Sequence, residues 1–559
     1  MTEYKPIPIG VEDFKETIDK GYYYIDKTDM IRELLDCFFK VNLITRPRRF
    51  GKTLNMSMLQ RFFEKTEESN AYLFEGLNIS KAGEKYMAYQ GQFSVITLSL
   101  KGMKQANYDN ALYMFKYAIN SEFTRHREVL RSEALSPKQR KQFEDIYNDT
   151  AEDKDYINSI QVLSGCLHAV YEKNVIILID EYDVPLETAY FGDFYEQMVI
   201  LIRSVFESAL KTNPYLEFGV LTGCLRVSKE SIFTGLNNPS VYSAINNDLS
   251  TCFGFTYDEV KKICEDYQLD DKLDELKEWY DGYRFGKTEI YNPWSVLNYL
   301  KSCLSDEECP TRAYWINTSG NDIIHKLVTE GTYDTRQQIE TLVNGGRIIA
   351  PVHEDITYRN IDVNTEHIWS FLLFTGYLKP VSLKVEDCIL YAEMVIPNLE
   401  VSTIYRRTIM EWFNDRVRSE GTDKLFNAII DADAETFENE VTEWLNEGIS
   451  FYDNYESFYH GFLAGLLFGR RGYRIESNRE HGKGRSDITI CEFVRRSVAV
   501  VIEIKVAESF DGLDKACDFA LHQIEKNKYE DTFKKECYKK ILKYGVAFCS
   551  DKVCKVKLA

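Results

Sequence analysis

No two cysteines stand in a CxxC spacing, although the chain has 13 of them, and its eight histidines never fall at a metal-ligand spacing. Reduced thiols in a cytoplasm are the simplest account. No apolar run approaches the ~20 residues of a transmembrane helix. The start, Met1-Thr2-Glu3-Tyr4-Lys5-Pro6, has no apolar signal region, so no membrane partner is expected. Internal repeats and low-complexity tracts are absent. Net positive charge is also missing: a formal charge of −20 argues against a general nucleic-acid coat. The distribution is uneven, because from Phe451 onward about 20 Lys+Arg face about 16 Asp+Glu, the one basic part of an acidic protein.

With 559 residues, 44% hydrophobic and 14% aromatic, the chain reads as a folded soluble protein of three or four domains. An amphipathic helix is expected at Asp29 to Phe39, then a buried strand, Val41-Asn42-Leu43-Ile44-Thr45. Further strands are expected at Phe93 to Leu100, Val175 to Ile179 and Leu216 to Leu221, with a long helical stretch from Tyr108 to about Glu172. Strands alternating with helices give an α/β domain with a parallel sheet, residues 1–250. Residues 251–450 read as helical and winged-helix-like: a helix ending at Gly376-Tyr377-Leu378, strands near Val381–Val385 and Cys388–Val395, then a helix from Ser402. Asn446-Glu447-Gly448 is the expected boundary to a third domain, 451–559.

Arg46-Pro47-Arg48-Arg49-Phe50-Gly51-Lys52-Thr53 lies between a strand and a helix, where a phosphate loop belongs. Amides at a helix N-terminus face the anion, Lys52 would reach the β/γ-phosphates, and the Thr53 hydroxyl would sit on Mg²⁺. Arg46 replaces the usual first glycine, and Pro47 offers no amide. Val175 to Ile179 followed by Asp180-Glu181-Tyr182-Asp183 has the form of a Walker B strand. Asp180 would hold Mg²⁺ through water, and Glu181 would polarise the attacking water. Arg284-Phe285-Gly286-Lys287-Thr288 repeats five of the loop residues, but no apolar strand precedes it and Pro293 follows closely. It reads as a hairpin-like turn packed by aromatics.

These motifs, with Phe14, Tyr24-Ile25-Asp26-Lys27-Thr28, Leu221-Thr222-Gly223 and Ser231-Ile232-Phe233, resemble the AAA-ATPase-like family of bacterial and archaeal proteins over about residues 5–240. The resemblance implies a P-loop domain of the AAA or STAND-like kind that binds ATP through Arg48, Arg49, Phe50, Gly51, Lys52 and Thr53. It makes the Arg-Pro-Arg-Arg-Phe-Gly-Lys loop usual. It also places Thr222 at a sensor position and makes Arg226 a candidate phosphate sensor, with a surface salt bridge as the alternative.

Downstream, Asp487 precedes Glu503-Ile504-Lys505, which closes the apolar run Val498 to Ile502. Period-2 alternation puts Lys505 on the same face as Glu503. Carboxylates and an ammonium on one face suit metal-dependent phosphodiester hydrolysis. Taken singly, Glu-x-Lys is a common cross-strand ion pair, and an Asp after glycine often caps a turn. Together, Gly484-Arg485-Ser486-Asp487, Glu503-x-Lys505 and Gln523 followed by Tyr529 resemble the PD-(D/E)xK nuclease superfamily and its RecB-type members, over about residues 450–555. The expected core is helix, three strands, helix, strand, a restriction-endonuclease-like α/β fold. Asp487 and Glu503 would hold Mg²⁺ or Mn²⁺, with Glu456 a candidate further ligand. Lys505 would orient water or stabilise the pentavalent state. Gln523 would orient Lys505 or a DNA phosphate, and Lys483 and Arg485 would touch the backbone. The site groups are expected at strand edges, outside the core. His481 and His522 have no second ligand set.

The reading is therefore an α/β protein in which ATP gates a C-terminal nuclease, with DNA the favoured polymer over RNA and a homo-oligomer compatible. Its rival is a nucleotide-dependent switch or scaffold whose nuclease-like domain binds without cutting.

Overall fold

Five parallel strands build the N-terminal sheet: β1 (Val41–Thr45), β2 (Ser94–Ser99), β3 (Val175–Asp180), β4 (Leu216–Gly223) and β5 (Ser240–Tyr242), in the order β2-β3-β4-β1-β5. β1 and β3 are buried at every residue, as expected of parallel strands covered on both faces. The expected strands thus appear within a residue or two of their bounds. β5 was not anticipated; three residues carry too little periodicity to announce a strand. The helical stretch after β2 resolves into Tyr108–Arg125, Pro137–Tyr147, Asp153–Ile157 and Ser159–Tyr171. A capping box of Ser136 with Gln139 starts the second of these.

The computed structural model describes residues 4–37, 39–226, 239–306, 308–315, 324–325, 332–356, 358, 365–447, 456–467, 470, 472–481, 484–549 and 552–559. Ser231-Ile232-Phe233, Gly448, Tyr455 and Lys483 lie outside these residues. The chain divides into two compact units, Met1–Ser319 with Arg347–Thr403, and Gly320–Gly346 with Ile404–Ala559. The expected middle segment, 251–450, is shared between them.

In the first unit, the Arg284–Thr288 repeat forms a hairpin of β6 (Tyr283–Phe285) and β7 (Thr288–Ile290). Helix Thr365–Thr375, β9 (Lys379–Glu386), β10 (Ile389–Val395) and helix Leu399–Glu420, which continues from this unit into the second after Thr403, give the expected helix-hairpin-helix, and a third strand, β8 (Ile348–Pro351), pairs with β10.

The second unit carries a mixed sheet of β11 (Tyr473–His481), β12 (Gly484–Glu492), β13 (Val498–Val506), β14 (Lys540–Cys549) and β15 (Val553–Leu558), in that order. β13 and β14 are parallel and the other pairs antiparallel. Helix Leu513–Asn527 crosses between them. Gly545, opposite Glu503 in the register, lets this helix approach closely, since a Cβ there would lie 3.0 Å from Leu521 Cγ. β15 was missed, although Cys554 and Val556 alternate with Lys555 and Lys557 in the way of a half-buried strand.

Candidate functional site

The Arg46–Gly51 turn leaves the C-terminal end of β1 and enters helix Lys52–Phe63. Arg49 and Gly51 have positive φ, 70° and 84°. A glycine at the second position removes the Cβ penalty where the chain must double back into the helix. Arg46 is wholly buried and points away from the turn's concave side. Its guanidinium donates to the carbonyls of Thr45 (3.0 Å) and Tyr242 (2.7 Å) and lies over the Phe285 ring at 4.7 Å. Burial lowers its pKa to about 10. Arg46 thus brackets β5 to the loop. Phe50 packs edge-on against Tyr283 and Phe285 at 4.9 and 5.3 Å, so the hairpin that mimics the loop in sequence buttresses it in space.

Arg48 pairs with Glu187, and the Arg49 guanidinium sits 4.4 Å from the centre of the Trp294 ring. Trp315 donates from its indole to the Arg48 carbonyl at 3.3 Å, and its backbone N–H donates to the buried Glu400 at 2.8 Å. Burial pushes Glu400 up to about 7 against its bonds from Trp315 and Ser295. Lys52 donates to the carbonyls of Arg46 and Pro47 at 2.8 and 2.9 Å.

Parallel register places Thr53, Asp180 and Thr222 together at the strand ends. The Thr53 hydroxyl donates to Asp180 Oδ2 at 2.7 Å, and the Thr222 hydroxyl donates to Asp180 Oδ1. Glu181 follows in the left-handed region, φ 53°. Burial, then the Asp180 charge, raises its pKa against Lys52 and Lys101. Asp183 accepts the backbone N–H groups of Cys224 and Leu225 at 2.7 and 3.1 Å and is occupied by that loop. A cavity of about 340 Å³ is lined by Arg48 to Thr53, Lys101 and Glu181, with Ile25 and Trp294 on its apolar side. Its concave shape and size suit a small ligand.

In the second unit, Ile488 and Ile502 are partners across β12 and β13, which puts Asp487 and Glu503 one step further on the facing strands. Asp487 Oδ2 accepts the Ile504 N–H at 2.7 Å. Gln523 donates to Glu503 Oε1, while Glu503 Oε2 is buried with no hydrogen-bond partner among the described residues. Lys505 Nζ lies 3.6 Å from Glu503 Oε1 and donates to Glu456 at 2.9 Å. Burial, then the Asp487 charge, raises Glu503 to about 8. Burial also raises Asp487, while the Ile504 N–H and Lys505 oppose it. No cluster of three His, Cys, Asp or Glu side chains with a ligand arrangement occurs among the described residues. The donor set rests on the Asp487–Glu503 pair, and an orphaned buried carboxylate oxygen beside a second carboxylate fits a hard divalent cation.

Residues 8–233 match the family model described as "Predicted AAA-ATPase", and residues 454–558 match that of the PD-(D/E)XK nuclease superfamily. The chain carries an AAA-ATPase-like domain followed by a PD-(D/E)XK nuclease superfamily domain. An uncharacterized protein in the vnfD 5′ region of Azotobacter chroococcum mcd 1 is 24% identical over 546 residues, 95% of this chain and 94% of that protein. No helix among the described residues is long and apolar enough to cross a membrane.

Within the AAA-ATPase-like domain, the structure brings Lys52, Thr53, Asp180, Glu181 and Thr222 together. Arg226 is not among the cavity-lining residues; it lies 3.5 Å from Glu354 and 3.3 Å from Asp355. Within the nuclease domain, Asp487, Glu503, Lys505, Gln523 and Glu456 converge. Two expectations change. Gln523 donates to Glu503 instead of orienting Lys505, because helix Leu513–Asn527, which carries it, packs on β13. Glu503 is not an edge group but 1% exposed, since β13 is covered by helix Leu513–Asn527. The Arg485 side chain lies outside the described set. Sequence reasoning passed over Lys101, Trp315 and Glu187, which reach the phosphate-loop region from distant segments. It also passed over His460, whose Nε2 lies 2.8 Å from the Asp487 carbonyl oxygen. Linear spacing carries no signal for any of them.

Proposed function

We propose that the AAA-ATPase-like domain binds and hydrolyses ATP with Mg²⁺ and thereby gates metal-dependent phosphodiester cleavage of DNA by the nuclease domain. The observation that carries the nuclease half is the buried Glu503 carboxylate beside Asp487, its Oε2 without a hydrogen-bond partner among the described residues, with the Lys505 ammonium 3.6 Å from the same carboxylate. Asp487 and Glu503 would hold Mg²⁺ or Mn²⁺, supplying Lewis acidity toward a phosphate oxygen. Lys505, anchored by Glu456, presents its charge to the developing negative charge on phosphorus. Gln523 fixes the Glu503 rotamer. In the other domain, Thr53 and Asp180 are the residues to hold the Mg²⁺ of a nucleotide, with Thr222 fixing Asp180. Lys52 exchanges its loop carbonyls for phosphate oxygens, and Glu181 accepts the proton of the attacking water. Arg226 pairs with Glu354 and Asp355, which favours its salt-bridge alternative over the sensor role.

A cleavage assay on plasmid, linear and single-stranded DNA, with Mg²⁺ and with or without ATP, tests the reading. Metal-dependent cutting that changes with ATP supports it. Retained DNA binding without cutting under every condition leaves the switch or scaffold in its place.

A further inference from the structure

Apart from Lys52, the side-chain cations of the phosphate loop are engaged elsewhere. Pro47 has no N–H, Arg46 is turned into the interior, Arg48 is tied to Glu187, and Arg49 lies on Trp294. A nucleoside triphosphate carries concentrated negative charge, and its hydrolysis needs cations at the terminal phosphoryl group beyond the loop lysine. The sheet register supplies one. Ser99 at the end of β2 is paired with Asp180, and the Leu100 N–H donates to the Asp180 carbonyl at 3.0 Å. Lys101 therefore leaves its strand beside Glu181, at the C-terminal ends of parallel strands where ligands bind in open α/β sheets. Both residues line the cavity that also holds Lys52 and Thr53. The Lys101 side chain is 57% exposed and pairs at 2.9 Å with Glu12, which lines the same cavity. Its ammonium is free to exchange that partner for a phosphate. Lys104 lines the same cavity, but its charge acts on Glu187.

We propose that Lys101 is a catalytic cation of the ATP site, supplied in cis by the strand next to Asp180 and touching the terminal phosphate. The proposal rests on the ATP reading above. In the reaction a water oxygen bonds to the γ-phosphorus while the bond from that phosphorus to the β,γ-bridging oxygen breaks. The electron pair leaves with ADP and the water proton passes to Glu181. Lys101 neutralises charge on the non-bridging γ-oxygens as this happens.

The test uses the full chain in four forms: wild type, Lys101→Ala, Lys101→Arg and Glu12→Gln. Binding of ATPγS and of ADP is measured by calorimetry, and ATP turnover by phosphate release. Lys101→Ala should lower kcat on the order of 10²-fold, the scale of one lost transition-state donor. It should weaken ATPγS and leave ADP affinity unchanged. Lys101→Arg should recover most of the turnover. Glu12→Gln, which removes the ion pair but keeps the ammonium, should turn over close to wild type. Equal losses in Lys101→Ala and Glu12→Gln would reduce Lys101 to a tether for the N-terminal segment and overturn the proposal. So would wild-type ATPγS affinity and kcat in Lys101→Ala, while leaving the ATP reading intact. A wild-type chain that binds neither nucleotide would overturn both.

Discussion

Replacing Glu503 by Gln should stabilise the metal-free nuclease domain at alkaline pH while destroying its metal response. Glu503 is 1% exposed, and burial and the neighbouring Asp487 charge raise its carboxyl to about 8 from an ordinary 4.5. Between those two values the folded state holds a proton that the unfolded chain has released. Stability associated with this group is therefore fully present below pH ~4.5 and is lost as pH rises through about 8. At 1.36 kcal/mol per unit, the ceiling on that loss is ~5 kcal/mol. Glutamine keeps the volume, and its Oε1 can still accept the Gln523 bond, but it cannot ionise. Hydrogen exchange of β12–β14 peptides in the intact chain, corrected for intrinsic rates, reads the local opening free energy. In EDTA at pH 8, Glu503→Gln should be better protected than wild type by a few kcal/mol, within the ~5 kcal/mol ceiling. Saturating Mg²⁺ should protect wild type, by ~2.7 kcal/mol at a hundred times Kd, and leave the variant unchanged. Cleavage should be absent in the variant. Equal or weaker protection of the variant in EDTA, or equal Mg²⁺ protection of both, would refute the reasoning that the buried Glu503 and its half-buried neighbour Asp487 wait on a cation.

Lys505→Ala should retain Mg²⁺ protection but lose cleavage, because an ammonium is no metal ligand; loss of the metal response would show that it acts by shaping the carboxylates. Lys52→Ala should abolish ATP binding while Lys287→Ala keeps it, since Lys287 lies exposed on the β6–β7 hairpin; calorimetry decides, and parallel behaviour of the two variants would mean the loop is misassigned. Glu181→Gln should keep ATP affinity and slow turnover on the order of 10²-fold or more. Unchanged phosphate release would move the base elsewhere, although Asp183 is already bound to two backbone amides.

Much of the molecule was legible in one dimension because its signals are local. Apolar strands ending in Asp180-Glu181 and in Glu503-x-Lys505, and a strand-turn-helix around Gly51-Lys52-Thr53, announce themselves through burial on both faces and the period of two. The false repeat at Arg284–Thr288 was separable because the residues before it cannot form a buried strand. What sequence alone determined, then, is the pair of α/β folds and the identity of the groups at their strand ends. Tertiary structure decided which side chains face one another across long sequence separations. Arg46 could be seen to replace a glycine, but only the fold shows its guanidinium bracing β5. Gln523 is placed near the site by sequence, but only the packing of helix Leu513–Asn527 on β13 shows that it donates to Glu503. Glu503 looked like an edge group until helix Leu513–Asn527 covered β13, and that covering makes its charge costly. Lys101 acquires a place beside Glu181 solely through the parallel register of β2 on β3. Strand alternation is written residue by residue. Register between segments, and the burial it imposes on a charge, is set by packing of the whole unit.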